Sequence, residues 1–109
     1  MIVAYSTSDL RRITTSKEAC EATHGLAVAE DIIASMAELA AAESMEELLV
    51  TMIWQVIDKV RGEAIMRGPS GVEIQVVENH ARPCDVRQGN IVDWSFVRRV
   101  KITSIQVKS

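Results

Sequence analysis

Residues Leu26 to Ala41 read Leu-Ala-Val-Ala-Glu-Asp-Ile-Ile-Ala-Ser-Met-Ala-Glu-Leu-Ala-Ala, and their pattern decides the fold. Wound at about 100° per residue, Leu26, Val28, Ala29, Ile32, Ile33, Met36, Leu39 and Ala40 fall within an arc of roughly 160°. Glu30, Asp31, Ser35 and Glu38 lie on the other side. A period of two would mix Glu30 with Ile32 on one face, so only a helix separates the two classes. One face of this helix is dry and needs a cover.

Upstream, Met1 to Tyr5 is β-branched in its middle and bounded by Ser6-Thr7-Ser8-Asp9, which predicts a first strand. Thr15-Ser16-Lys17-Glu18 has the form of a capping box for a short helix from Ser16 to Thr23, closed by Gly25. Downstream, Ser44-Met45-Glu46-Glu47 is a second capping box, and the reading forks there. Leu48, Leu49, Met52, Ile53, Val56, Ile57 and Val60 recur at helical spacing and favour a third helix to Arg61. Thr51 to Ile57 is equally a β-branched and aromatic run, as a strand buried on both faces would be.

The remaining signals are of strands. Glu63 to Arg67 and the alternating Val72 to Val76 flank Gly68-Pro69-Ser70-Gly71, a hairpin with a four-residue loop. Residues 79–90 hold Pro83, Gly89 and several charges and read as an exposed loop. Phe96 to Val107 is the last strand, and its apolar parity slips between Ile102 and Ile105, which predicts a bulge near Thr103-Ser104. Strands of this kind are the natural cover for the helix, giving an α+β architecture of two layers in a single domain, 1–109.

The chain's 48% hydrophobic and 25% charged residues are those of a folded domain rather than a disordered one. It has no apolar run of about 18 residues, so no membrane-spanning helix is expected. The first residues, with Asp9, Arg11 and Arg12, lack the apolar centre of a signal peptide. Cys20 and Cys84 make no disulfide framework, so a cytoplasmic protein is expected. The net charge of −3 divides unevenly: residues 1–55 carry −6 and residues 56–109 carry +3. The two halves attract one another, and the overall acidity argues against strong non-specific binding to nucleic acid.

The run Gly89-Asn90-Ile91-Val92-Asp93-Trp94-Ser95, followed by Val97, Val100, Ile102 and Ile105, resembles the end of the RelE/ParE-like "killer" toxins of type II toxin–antitoxin modules, close to the HigB-type proteins. One branch of that family carries a Gly-x-Ile-Asp-Trp-x-x-Val segment before an alternating strand. His24-Gly25-Leu26-Ala27 sits where the family has an aromatic-Gly pair and a helix. Leu39 to Ser44 matches its helix end, and Arg61-Gly62 falls where it has an Arg before a strand. The resemblance implies two N-terminal helices packed on a curved antiparallel sheet. It also tips the fork, implying a strand from Met52 to Ile57.

For function, the resemblance implies an antitoxin partner and action on mRNA in the ribosome or on a gyrase-type target. Ribonuclease members use basic residues, often with Tyr or His, to assist attack of a 2′-hydroxyl on the adjacent phosphate, chemistry that needs cations and a proton acceptor. Three such groups are replaced here. Val107, Lys108 and Ser109 stand where the branch ends Asp-Tyr-His, Gln55-Val56-Ile57 stands where it has a His, and Glu73 or Gln75 stands where it has an Arg. No catalytic residue is assigned. The alternative is a catalytically inactive protein-interaction module, and exposed edge strands would suit a homodimer.

Arg98, Arg99 and Lys101 lie on or beside the last strand, with Arg61, Arg67, Arg82 and Arg87 on neighbouring elements. They are the candidates for an RNA- or partner-binding face, against the alternative of a solvated strand face. Cys20-x3-His24 and His80-x3-Cys84 carry metal-capable side chains, but their spacings are not those of a zinc finger, and neither metal nor cofactor is expected. Trp54 and Trp94 are expected to pack in the core or at its rim rather than stack on a base. Asp93 is read as a cap or turn residue.

Overall fold

The computed structural model describes residues 1–107 (for Pro83, the backbone alone). In chain order the elements are β1 (Ile2–Tyr5), α1 (Ser8–Thr15), α2 (Lys17–His24), α3 (Leu26–Ala41), α4 (Met45–Leu49), β2 (Trp54–Asp58), β3 (Glu63–Arg67), β4 (Val72–Glu78), a two-stranded ribbon of β5 (Arg87–Gln88) and β6 (Ile91–Val92), and β7 (Arg99–Val107). Short 3₁₀ turns, Pro83–Val86 and Trp94–Phe96, flank the ribbon. The main sheet has the order β1-β7-β4-β3-β2. Strand β1 runs parallel to β7 and the other pairs are antiparallel, so the sheet is mixed rather than antiparallel throughout.

The α+β class agrees with the sequence reading, but four helices precede the second strand instead of two or three. The added one, α1, is polar, and among its described residues only Ile13 and Thr14 are buried, so no apolar stripe announces it. Its local chemistry is nonetheless sound. Thr7 accepts the Leu10 N–H at 3.1 Å, and the hydroxyls of Thr14 and Thr15 donate back to the Leu10 and Arg11 carbonyls. Because α1 takes Thr15, the cap of α2 moves one residue along: Ser16 accepts from Ala19 N–H at 3.2 Å.

The fork after Ser44 resolves into both elements. Helix α4 is only five residues, and the long helix to Arg61 does not form. Met52 turns the chain with φ +66, outside helical space, and β2 begins at Trp54. The reason is Trp54 itself, which is 1% exposed and joins the core from a strand position opposite Met66. Asp58 Oδ1 then accepts the Val60 and Arg61 N–H groups at 2.9 Å to close the β2–β3 turn. Gly62 completes the turn at φ +76, with Val92 and Glu78 so near that a Cβ there would lie 2.9 Å from each.

The expected hairpin forms, with Gly68 to Gly71 as its loop. The expected bulge forms too. Gln75 pairs with Ser104 and Val76 with Ile102, leaving Thr103 extra on β7. Alternation across these strands turns Ala64, Met66, Val72, Ile74, Val76, Val100 and Ile102 toward the helices, where they meet Val28, Ala29, Ile32 and Leu39 of α3. The buried stripe of α3 is narrower than the arc drawn from sequence. Ser35 lies inside it, its hydroxyl bonded to the Asp31 carbonyl at 2.8 Å, while Leu26 is exposed.

Candidate functional site

The sheet face turned away from the helices carries most of the polar groups. Pairing fixes its rows, because residues directly opposite share a face. One row is Arg67–Glu73–Gln106, the next Gln55–Ile65–Gln75–Ser104, and a third Glu63–Val77–Lys101–Ala4. Arg99 and Ile2 share the end of this face beyond Lys101.

On the β2–β3–β4 side the polar groups of the face bond to one another. Arg67 Nε donates to Glu73 Oε2 at 2.7 Å and its Nη1 reaches Gln55 Oε1 at 3.4 Å. Ser104 donates to Gln75 Oε1 at 3.3 Å. Ile65 sits among these groups at 5% exposure, a buried apolar residue outside the main core. Glu73 is buried as well, and its ion pair with Arg67 supplies part of the compensation such a carboxylate needs.

The seven expected cations therefore divide. Arg61 pairs with Glu63 at 3.5 Å, Arg67 with Glu73, and Arg82 with Asp85 at 3.4 Å. Arg87 donates to the carbonyls of Val60 and Asn90 and holds the β5–β6 ribbon to the β2–β3 turn. Among the described residues, no ion pair is made by Arg98, Arg99 or Lys101. Arg99 and Lys101 sit two apart on β7, hence on one face, beside the edge strand β1.

His80 organises this end of β7, a role that nothing in the sequence indicated. Its Nε2 accepts the backbone N–H of Arg98 at 3.0 Å and of Arg99 at 3.2 Å, which assigns the ring proton to Nδ1. Its own backbone N–H donates to Glu78 Oε2 at 2.8 Å, and Asn79 N–H donates to the Arg99 carbonyl at 2.9 Å. The loop read as merely exposed thus clamps the start of β7.

This arrangement offers two cations for a phosphate or carboxylate, but little for proton transfer. The basic nitrogen of His80 is already an acceptor for two amides. Glu63, the carboxylate in the row of Lys101, lies two strands away, roughly 10 Å at ordinary strand spacing, and pairs with Arg61. Lys108 and Ser109, two of the positions compared with the Asp-Tyr-His ending, lie outside the described residues.

Nor do the metal-capable pairs assemble, since no cluster of three or more His, Cys, Asp or Glu that could hold a metal exists among the described residues. Cys20 is fully buried, and burial followed by the nearby Glu21 carboxylate pushes its thiol pKa up. Cys84 is exposed. Asp93 caps the 3₁₀ turn as expected, its Oδ1 accepting from Ser95 N–H at 3.1 Å. Trp54 is core and Trp94 packs half-buried against it. Among the described residues no helix is long and apolar enough to cross a membrane.

Compared with known proteins, the chain matches no family model, no curated protein and no solved structure.

Proposed function

We propose that the chain is a divergent toxin-like protein of the RelE/ParE group, which is held by a cognate antitoxin and meets its target by binding rather than by cutting. The target is of the class the resemblance implies, mRNA in the ribosome or a gyrase-type enzyme. One observation carries the binding half of this reading: Arg99 and Lys101 stand together on β7 without ion pairs among the described residues, while His80 spends its basic nitrogen on the backbone. The Gly89 to Ser95 segment and the order of helices, hairpin and last strand support the ancestry.

The test is growth of a bacterial host after induced expression of the wild-type chain and of Arg99→Ala/Lys101→Ala. Arrest relieved by the double change is the expected result. Arrest that ignores the change would move the working face elsewhere. Normal growth at good expression would sink the toxin reading in that host.

The second reading, an inactive interaction module that pairs with its own copy, draws on β2. This strand ends the sheet order, and Ile57 on it and Ile53 just before it are both exposed. Sedimentation of the purified chain across concentration decides it.

A further inference from the structure

Helix α4 stands between two clefts. One, of about 350 Å³, is walled by Leu49, Ile91, Val92 and Trp94 with Glu46 at its rim. The other, of about 370 Å³, is walled by Ala41, Ala42, Leu48 and Ile53 with Glu38 and Glu47 at its rim. Just past the helix, Val50, Met52 and Ile53 are 72%, 78% and 51% exposed, a run of apolar side chains at one corner of the molecule.

Met52 makes this corner more than a chance patch. It is the one non-glycine residue at positive φ among the described residues, at +66, and its side chain lies in solvent. Glycine or asparagine would hold this backbone at lower cost, and a polar side chain would suit the exposure better. The fold keeps an apolar, flexible side chain at a strained and exposed position, which is where a binding surface stores its cost.

Charge selects the occupant. Residues 18–58 contain nine carboxylates and neither Lys nor Arg. Glu38, Glu46 and Glu47 all lie exposed at the two clefts, and no ion pair forms at any of them among the described residues. Nucleic acid and anionic lipid are repelled by such a rim, whereas Lys and Arg are attracted.

We propose that the α4 corner docks a short protein segment whose apolar side chains enter the two clefts and whose flanking Lys or Arg residues meet Glu38, Glu46 and Glu47. This goes beyond the toxin reading, since it concerns the face opposite in charge to β7 and holds whether or not the chain arrests growth.

The test uses the full chain labelled with ¹³C at the methionine methyls and a synthetic peptide of alternating Lys-Leu pairs as probe, with a Glu-Leu peptide of equal length beside it. The Met52 methyl should shift and saturate with the Lys-Leu peptide, while those of Met36 and Met66 stay in place. In Glu38→Lys/Glu46→Lys, whose sites are exposed, the affinity should fall by about tenfold or more at unchanged melting temperature. Three results would each overturn the proposal: no shift at Met52, an equal shift with the Glu-Leu peptide, or an affinity indifferent to the charge reversal. A Met52 shift that grows with protein concentration alone, with a dimer in sedimentation, would also overturn it by making a second copy the occupant.

Discussion

Asp31, on the outer flank of α3, accepts both the backbone N–H of Ser70 at 3.1 Å and the Ser70 hydroxyl through its Oδ2. One carboxylate thereby fastens the central helix to the tip of the β3–β4 hairpin, 39 residues away in sequence. Gly68 permits the approach, since a Cβ there would come within 2.9 Å of both Asp31 Oδ2 and Val72 Cγ1. Asp31→Ala should cost about 1–3 kcal/mol by stranding two donors at a half-buried site. Gly68→Ala should cost a similar amount, about 1–3 kcal/mol, by crowding. Urea unfolding with an unchanged slope checks both, and additive losses in the double variant would refute the shared contact.

His80 should be the anchor of β7 rather than a solvent residue. In His80→Ala the Arg98 and Arg99 amides lose their acceptor, so their hydrogen exchange should quicken well before that of Val100 and Ile102. Unaltered exchange at Arg98 and Arg99 would show that the imidazole does not hold them.

Met52→Gly should raise stability by about 1 kcal/mol, because glycine removes the penalty of the left-handed conformation. The same change should weaken the Lys-Leu peptide. A stabilised variant that binds the peptide as well as the wild type does would separate the strain from the surface.

The two thiols should differ in kind. Cys84 should react at once with a thiol reagent, and Cys20 only as the chain unfolds. Burial raises the pKa of Cys20, so the fold holds that proton more tightly than the unfolded chain does. Its contribution to stability is complete below the unfolded thiol's pKa, about 8.5, and is lost as pH rises through the higher folded value. Alkaline melting curves of wild type and Cys20→Ala check this, and an equal alkaline loss in both would clear Cys20 of the effect.

Local signals were legible where one segment carries its own pattern. The amphipathic run of α3, the Gly68 to Gly71 loop, the Asp93 cap and the parity slip at Thr103 all stood in the sequence, because each depends on neighbours within a few residues. The polar helix α1 had only its cap to announce it, and an absent apolar stripe hides such a helix from periodicity. The candidate site was legible only as an inventory of cations. Which of them stay unpaired depends on Glu63, Glu73 and Asp85 and on the carbonyls of Val60 and Asn90.

By itself the sequence determined an α+β chain with a central amphipathic helix, a hairpin and a bulged last strand, since hydrophobic period and turn chemistry are local quantities. Only the tertiary structure decided that β1 lies parallel beside β7, that Trp54 begins a strand rather than extending a helix, and that His80 clamps the cationic end of the sheet. Each of these rests on a partner in another element of the fold, and the free energy of such a contact belongs to the pair rather than to either segment.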